Sequence, residues 1–372
     1  MIMNKPMSYL ILLILFGGLG AQSDYEDYLK KDQQAFAEYE ASITAEYKKF
    51  EQEEKQAFEK FKREVEEKWE EFKSPSKKEY VEYDDKKESR TSVDFEKGTI
   101  TVEVLLEEGE SAEKAQQKLK EVTEKIVKSK GEDDKPLLEN QLESPKKEKV
   151  TPENIQQLSS ELIKKDKIQV EKNHRGDDGK KRTKFTVVIP LKKNHLDERA
   201  KRYEKIVLKY SAKFSIDPAI VFAVIETESA FNPKAKSHIP AYGLMQLVPK
   251  SGARDAYLYV YKKDKYLRPG YLYTPEKNIE LGCAYLAKIK NVYFKGITDD
   301  EKAYICVIPA YNTGIGNVSL TLTGATKLKA ASNAANKMSS KELYKKLTTE
   351  LKHKEARDYL TRVWERKDKY KI

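Results

Sequence analysis

Cysteine is almost absent from this chain: Cys283 and Cys306 are the only two in 372 residues. A disulfide-dense scaffold and a cysteine-built zinc site are both excluded by that count. The two could still pair. Each also sits among apolar neighbours, Cys283 with Leu281, Ala284 and Leu286, and Cys306 within Tyr304–Ile308, so both read equally as small core residues. No zinc-ligand cluster, P-loop or RNP-like segment occurs, which leaves a nucleic-acid function without its usual supports. Long apolar runs are missing too, apart from Tyr9–Phe16, which follows Lys5 and closes in Gly17-Gly18-Leu19-Gly20-Ala21. That order and length describe a signal peptide over residues 1–21 rather than a transmembrane helix. A retained leader holding the chain at a membrane surface is the alternative. Glycine and proline are absent from 23–72, where nothing interrupts a helix.

What fills that stretch is Glu and Lys, with large side chains at Tyr25, Tyr28, Phe36, Tyr39, Ile43, Tyr47, Phe50, Phe58, Phe61, Val65, Trp69 and Phe72. Gaps of mostly three and four predict one long amphipathic helix over 22–75, ended by Ser74-Pro75-Ser76. Such a helix reads either as a stalk or coiled coil that spaces or oligomerises the chain, or as one folded back on its own domain. Aromatics stand where coiled coils prefer Leu and Ile, so the last turns, around Trp69, are expected to fold back, and the rest is left open.

Residues 76–190 mix β-rich runs (Ser92–Leu106 and Lys184–Ile189) with helices near 111–128 and 152–165. The unequal spacing fits an α+β domain with an antiparallel sheet. Residues 128–150, charged and poor in apolar groups, read as a mobile loop. His174 lies in a polar turn (172–179) and reads as a solvent-facing histidine rather than a metal ligand. From 191 onward the pattern is helical, with helices expected at 198–214, 218–229, 243–253, 275–292, 299–311, 341–347 and 356–366.

Charge is unevenly divided. From Leu191 to the end there are 35 Lys+Arg against 19 Asp+Glu, a surplus of 16; residues 1–190 hold 36 against 42. A basic carboxy-terminal half on an exported chain meets anionic cell-wall polymer before nucleic acid, and its field would steer it there; a solvated lysine-rich surface that reflects composition alone is the alternative.

The segment Ile225–Val248 carries the chemistry. Asp217-Pro218 starts an almost wholly apolar helix that delivers Glu228 at its end, partly out of water, where a carboxyl favours its protonated form. Glu226 is the rival. Two helical residues apart, the two side chains diverge by about 200°, so both cannot face one groove, and a charged partner or plain exposure suits Glu226.

Glu228-Ser229, Phe231, Asn232-Pro233, Ser237 and Gly243-Leu244-Met245-Gln246 resemble the signature of the lysozyme-like lytic transglycosylases. Asn278-Ile279 with Gly282 and Tyr285-Leu286, then Ala310-Tyr311-Asn312-Thr313-Gly314, resemble that family's next motifs in the same order. Tyr80-Val81-Glu82-Tyr83, Phe95–Val104, Asn194–Asp197, Asn291-Val292-Tyr293 and Leu347-Thr348-Thr349 are similar to the murein transglycosylase C subgroup. The resemblance therefore extends over most of the chain. It implies an α+β amino-terminal domain (76–190) followed by an all-α lysozyme-like (SLT) catalytic domain (191–372).

By that resemblance the activity is a carbon–oxygen lyase reaction on peptidoglycan. One carboxyl, Glu228, protonates the glycosidic oxygen and then takes the proton of the sugar's own 6-hydroxyl, which closes a 1,6-anhydro ring. Tyr311 would hydrogen-bond Glu228, and Ser237 would stand beside the 6-hydroxyl or acetamido group. Met245, Gln246, Asn312, Ser229 and Tyr285 would form the sugar-binding wall, with Met245 and Asn278 equally suited to packing or capping. No cofactor and no metal are implied. Ile239, where relatives carry a hydroxyl, and Thr313, where Gly or Ala is usual, depart from the pattern and bear on substrate preference.

Members of the subgroup are usually lipoproteins, which need a Cys at the cleavage point; this sequence has none there, so an unlipidated exported protein of the periplasm or envelope is expected. Partners expected are glycan strands, not nucleic acid, with envelope proteins able to use the amino-terminal helix and domain; the oligomeric state is left open. Two other readings remain. An inverting goose-type lysozyme would need a second carboxylate, with Asp255 and Asp264 the candidates. A non-catalytic wall-binding protein would use the helix and amino-terminal domain alone.

Overall fold

The computed structural model describes residues 19–371, with side chains from Lys30 onward except at 32, 35 and 36. The leader read at 1–21 lies, up to residue 18, outside the described residues. The chain divides after Glu59 into two compact units. Helix α1 (Leu19–Glu66) supplies the whole described part of the first. There it is a largely exposed helix, carrying an i,i+4 pair between Lys49 and Glu53 and a ring contact between Tyr47 and Phe50. Among the described residues, no helix is long and apolar enough to cross a membrane.

In the second unit the last turns of α1 fold back on their own domain, as the aromatic pattern suggested. Val65 and Trp69 are buried with Leu105, and Phe61, Phe72 and Tyr83 pack around them. The helix ends at Glu66, short of the proline expected to stop it. Trp69 is the cause: its indole N–H donates to the Lys87 carbonyl at 2.8 Å, and the Arg90 guanidinium lies over its ring at 4.4 Å. Those contacts turn the chain inward before Pro75 is reached.

Five strands then form one antiparallel sheet: β1 (Glu79–Tyr83), β2 (Ser89–Asp94), β3 (Thr99–Glu107), β4 (Gln169–Arg175) and β5 (Lys181–Pro190), in the order β1-β2-β3-β5-β4. Alternation decides its faces. Val102, Val104, Phe185, Val187 and Ile189 point into a core shared with helices α2 (Ala112–Lys128) and α3 (Ile155–Leu162), while Val188 is half exposed. The Ser92–Leu106 run is two strands, β2 and β3, with the Asp94–Gly98 turn between them.

Two expectations fail here. The segment 128–150 is packed, not a free loop: Leu137, Leu138, Leu142 and Val150 all enter the sheet–helix core. His174 is buried on β4, not solvent-facing, and its ring packs edge-on against Trp69 at 5.8 Å.

The remainder is helical: α4 (His195–Phe214), α5 (Pro218–Ser229), α6 (Gly252–Tyr261), α7 (Pro269–Tyr273), α8 (Pro275–Lys288), α9 (Asp300–Thr313), α10 (Ile315–Thr323), α11 (Leu328–Lys337), α12 (Ser340–Glu350) and α13 (Lys354–Arg366). Helix α5 is at the centre, and α4 and α13 pack on it. Every residue from Ala219 to Ser229 is buried. Cys283 of α8 and Cys306 of α9 are both free core thiols, so the packing reading holds; burial pushes both thiols up, Cys306 to about 12. The helix expected at 243–253 is instead a tight turn at Tyr242–Leu247, and α6 begins only at Gly252. Arg199 of α4 joins the sheet domain to the end of α5: its Nε donates to the Ala230 carbonyl at 3.0 Å, Nη1 to Gln141 Oε1 at 2.6 Å and Nη2 to the Phe95 carbonyl.

Candidate active site

The start and the stop of α5 fix where Glu228 lies. Asp217 caps the helix, its carboxylate accepting from the Ala219 N–H at 2.8 Å, and Pro218 occupies the first turn, where no amide hydrogen is needed. At the other end Ala230 and Phe231 take left-handed conformations (φ 48° and 61°) and the chain turns away. Ser229 anchors that turn: its hydroxyl is placed to donate to the Leu244 and Ile225 carbonyls, at 2.8 and 3.0 Å. Glu228 is thereby held at the wall of a cavity of about 490 Å³, with its side chain 6% exposed.

Three groups meet the Glu228 carboxyl. Lys77 Nζ donates to Oε2 at 3.5 Å, the Tyr359 hydroxyl of α13 faces it from a fully buried position, and Glu355 adds a negative charge nearby. That Tyr359 hydroxyl lies close without meeting hydrogen-bond geometry to any group, among the described residues. Burial pushes the carboxyl above its ordinary value; Lys77 and Tyr359 offset this in part, and Glu355 reinforces it. The group is thus biased toward its protonated, proton-donating form.

A second layer shapes the cavity wall. Asn278 of α8 is wholly buried and accepts from the Met245 N–H at 2.8 Å, while its amide donates to the Tyr242 and Leu272 carbonyls at 2.9 and 2.7 Å. Gly243 (φ 74°) must be glycine here, because a Cβ would lie 2.3 Å from the Leu272 carbonyl oxygen. Met245 fills the notch above Gly282, its sulfur 2.1 Å from where a Cβ would stand. The turn thus presents Gln246, whose amide nitrogen donates to the Gly243 and Ala235 carbonyls at 3.0 and 3.1 Å. Its Oε1 is buried and has no partner among the described residues.

Of the residues expected at the site, Glu228, Ser237, Gln246, Tyr311 and Asn312 line this cavity together. Three do not. Met245 and Ser229 are fully buried and support the wall from behind, and Tyr285 stands behind Tyr311, ring centroids 5.4 Å apart. The expected bond from Tyr311 to Glu228 is also absent: the Tyr311 hydroxyl donates to the Met245 carbonyl at 2.8 Å, so it braces the turn, and Tyr359 is the tyrosine hydroxyl facing the carboxyl. Sequence reading missed Tyr359, Lys77 and Glu355 because α13 and the 73–78 segment show only amphipathic or charged patterns locally. Only the long-range packing brings them to Glu228.

Glu226 faces the opposite way, as helix geometry required, and is bound by Arg366 at 3.2 Å, by Lys369 at 3.4 Å and by the Tyr370 hydroxyl. Asp264 is held by Arg254 at 2.6 Å and Asp255 by Lys288 at 3.2 Å; neither lines the cavity, which removes both candidates for a lysozyme's second carboxylate. Glu70, Glu171 and His174 stand close enough to suggest a metal site. The histidine tautomer opposes it. Nε2 accepts from the Glu70 N–H at 3.2 Å, so the ring proton is on Nδ1, facing Glu171 at 3.2 Å, and neither nitrogen has a lone pair to spare.

Comparison with known proteins finds two family models side by side. Residues 30–202 match the amino-terminal domain of membrane-bound lytic murein transglycosylase C, and residues 205–333 match the transglycosylase SLT domain. The chain is similar to the Salmonella typhi protein named membrane-bound lytic murein transglycosylase C, 33% identical over 293 residues, covering 76% of this chain and 79% of that protein. A Klebsiella pneumoniae protein of the same name is 41% identical over 182 residues, which is 49% of this chain and half of that one. Among solved structures, the 70 kDa soluble lytic transglycosylase of Escherichia coli aligns at 26% identity and a TM-score of 0.35, over 47% of this chain and 25% of that one.

Proposed function

Since the chain belongs to the lytic murein transglycosylases, in the group of membrane-bound lytic murein transglycosylase C, we propose that it cleaves the MurNAc–GlcNAc β-1,4 bond of peptidoglycan without water, leaving a 1,6-anhydro-MurNAc end. One observation supports this most: a single buried carboxyl, Glu228, raised by burial, at the wall of an open cavity. In its protonated form it donates to the glycosidic oxygen, and the bond from the anomeric carbon to that oxygen breaks. The resulting carboxylate, stabilised by Tyr359 and Lys77, then takes the 6-hydroxyl proton while O6 bonds to the anomeric carbon. The attack is intramolecular, so proximity replaces the second carboxylate that ordinary glycosidases need.

The cavity walls suit a sugar. Gln246 Oε1 is a buried acceptor awaiting a donor, such as an acetamido N–H. Ser237 and Asn312 offer further polar contacts across the same space. Residues 22–75, helical to Glu66, with 76–190 and 191–372 would act as amino-terminal segment, sheet domain and catalytic domain, in the cell envelope, with peptidoglycan strands as the partner. The enzyme would be a carbon–oxygen lyase.

A gel containing peptidoglycan tests the assignment of Glu228. Wild-type protein should clear a band after renaturation, and Glu228→Gln should leave the gel opaque while still pelleting with sacculi. A clearing band from the Gln variant would remove Glu228 from the chemistry.

A further inference from the structure

The residue nearest the Glu228 carboxylate on the cationic side comes from outside the helical region. Lys77 belongs to the short segment between α1 and β1, and its backbone is fixed on both sides. The Phe95 N–H donates to the Lys78 carbonyl at 2.9 Å, which joins the segment to the sheet domain. Asn232 Nδ2, from the turn after α5, donates to the Lys77 carbonyl at 3.4 Å, which joins it to the catalytic helix. The Ser76 N–H donates to the Glu79 carbonyl at 2.9 Å and closes the turn in between. From this pinned backbone the ammonium reaches Glu228 Oε2 at 3.5 Å and Glu355 Oε1 at 3.9 Å. Both carboxylates line the cavity, Glu228 buried and Glu355 largely exposed at the start of α13.

We propose that Lys77 is a positioning residue of the reaction, supplied by the amino-terminal half, whose ammonium moves between Glu228 and Glu355 and so sets which protonation state Glu228 holds at each step. The inference rests on Glu228 being the acid and base of the proposed reaction. When the carboxyl must be neutral to donate, Glu355 offers the ammonium another seat. When the carboxylate must be stabilised after donating, Lys77 returns to it. Lys77 exchanges no proton itself.

The other groups around Glu228 do not substitute for it. Tyr359 of α13 and Tyr311 of α9 are neutral phenols held far above their ordinary range by burial. Arg366, Lys369 and Tyr370 are committed to Glu226, and Arg199 of α4 to backbone carbonyls and Gln141. Lys352, His353 and Lys354 line the same cavity, and among the described residues none of them pairs with Glu228, which Lys77 does. Lys77 is thus the cation paired with Glu228, among the described residues.

The test is the alkaline limb of kcat/KM on purified glycan strands, the limb that reports loss of the general acid's proton. Removing a cation beside a carboxylate raises that group's pKa, by roughly one unit for a pair at this distance. Lys77→Met should therefore move the limb to higher pH by about one unit, a tenfold change in the ionisation constant. Lys77→Arg should restore it. Glu355→Gln, which frees Lys77 for Glu228 and removes a nearby negative charge, should move the limb the opposite way. Thermal unfolding of each full-length variant checks that the fold is kept. An unmoved limb in Lys77→Met with Glu228→Gln inactive would overturn the role of Lys77 alone, as would equal shifts in the Met and Arg variants. Activity surviving in Glu228→Gln would overturn the underlying reading instead.

Discussion

The two glutamates near the end of α5 differ in role because a helix sends them to opposite sides, and each has its own measurable consequence. Glu228 is raised by burial, so folding is weakened as pH climbs from the unfolded carboxyl value through the folded one. Glu228→Gln should therefore gain thermal stability over the wild type at about pH 8 and show little gain near pH 4. Equal Tm differences at both pH values would show that burial does not disfavour the ionised form. Glu226→Gln should keep near wild-type turnover and lose about 1–2 kcal/mol, since its partners Arg366 and Lys369 remain partly hydrated. Chemical denaturation reads that loss; a variant without turnover but with full stability would exchange the two roles. Tyr359→Phe removes the hydroxyl that faces the carboxylate and should lower kcat about tenfold with the fold intact, the worth of one such interaction. An unchanged kcat would leave that hydroxyl as packing.

Helix α5 is the element most legible in the sequence, because its start is local chemistry (Asp217-Pro218) and its body is uniformly apolar. The turn beyond it was not legible. Its apolar start, Leu244-Met245-Gln246-Leu247-Val248, reads as a helix, although Pro249 and Gly252 further along oppose one; Asn278, more than thirty residues away, binds the Met245 N–H and the Tyr242 carbonyl and holds a turn instead. The same holds for the segment 128–150, whose leucines have no periodic spacing and are buried only once the sheet exists, and for β4, whose polar sequence is an edge strand. Tyr359 and Lys77 were missed for the same reason: each belongs to an element of unremarkable pattern that packing brings to Glu228. Asn278→Ala would strand a buried amide hydrogen and two carbonyls, and should cost roughly 2–4 kcal/mol. It should also lower kcat/KM, since the turn that presents Gln246 would loosen. A stable, fully active variant would show that the turn holds itself.

At the scale of the whole molecule, a basic helical region stands beside a sheet domain that reaches Glu228 through Lys77. The surplus of 16 positive charges from Leu191 onward should draw the protein to anionic cell wall, and binding to intact sacculi should weaken as salt rises past about 0.1 M, where the Debye length falls to about 10 Å. Pelleting equally strong at low and high salt would leave that charge without a role in binding. The central claim is that one carboxyl does both proton transfers and that the sugar's own hydroxyl takes the place of water. Mass spectrometry of muropeptides released by the purified protein tests it directly. The account predicts products ending in 1,6-anhydro-MurNAc, one water lighter than hydrolysed ends and resistant to borohydride. Reducible, water-added MurNAc ends as the main product would contradict it.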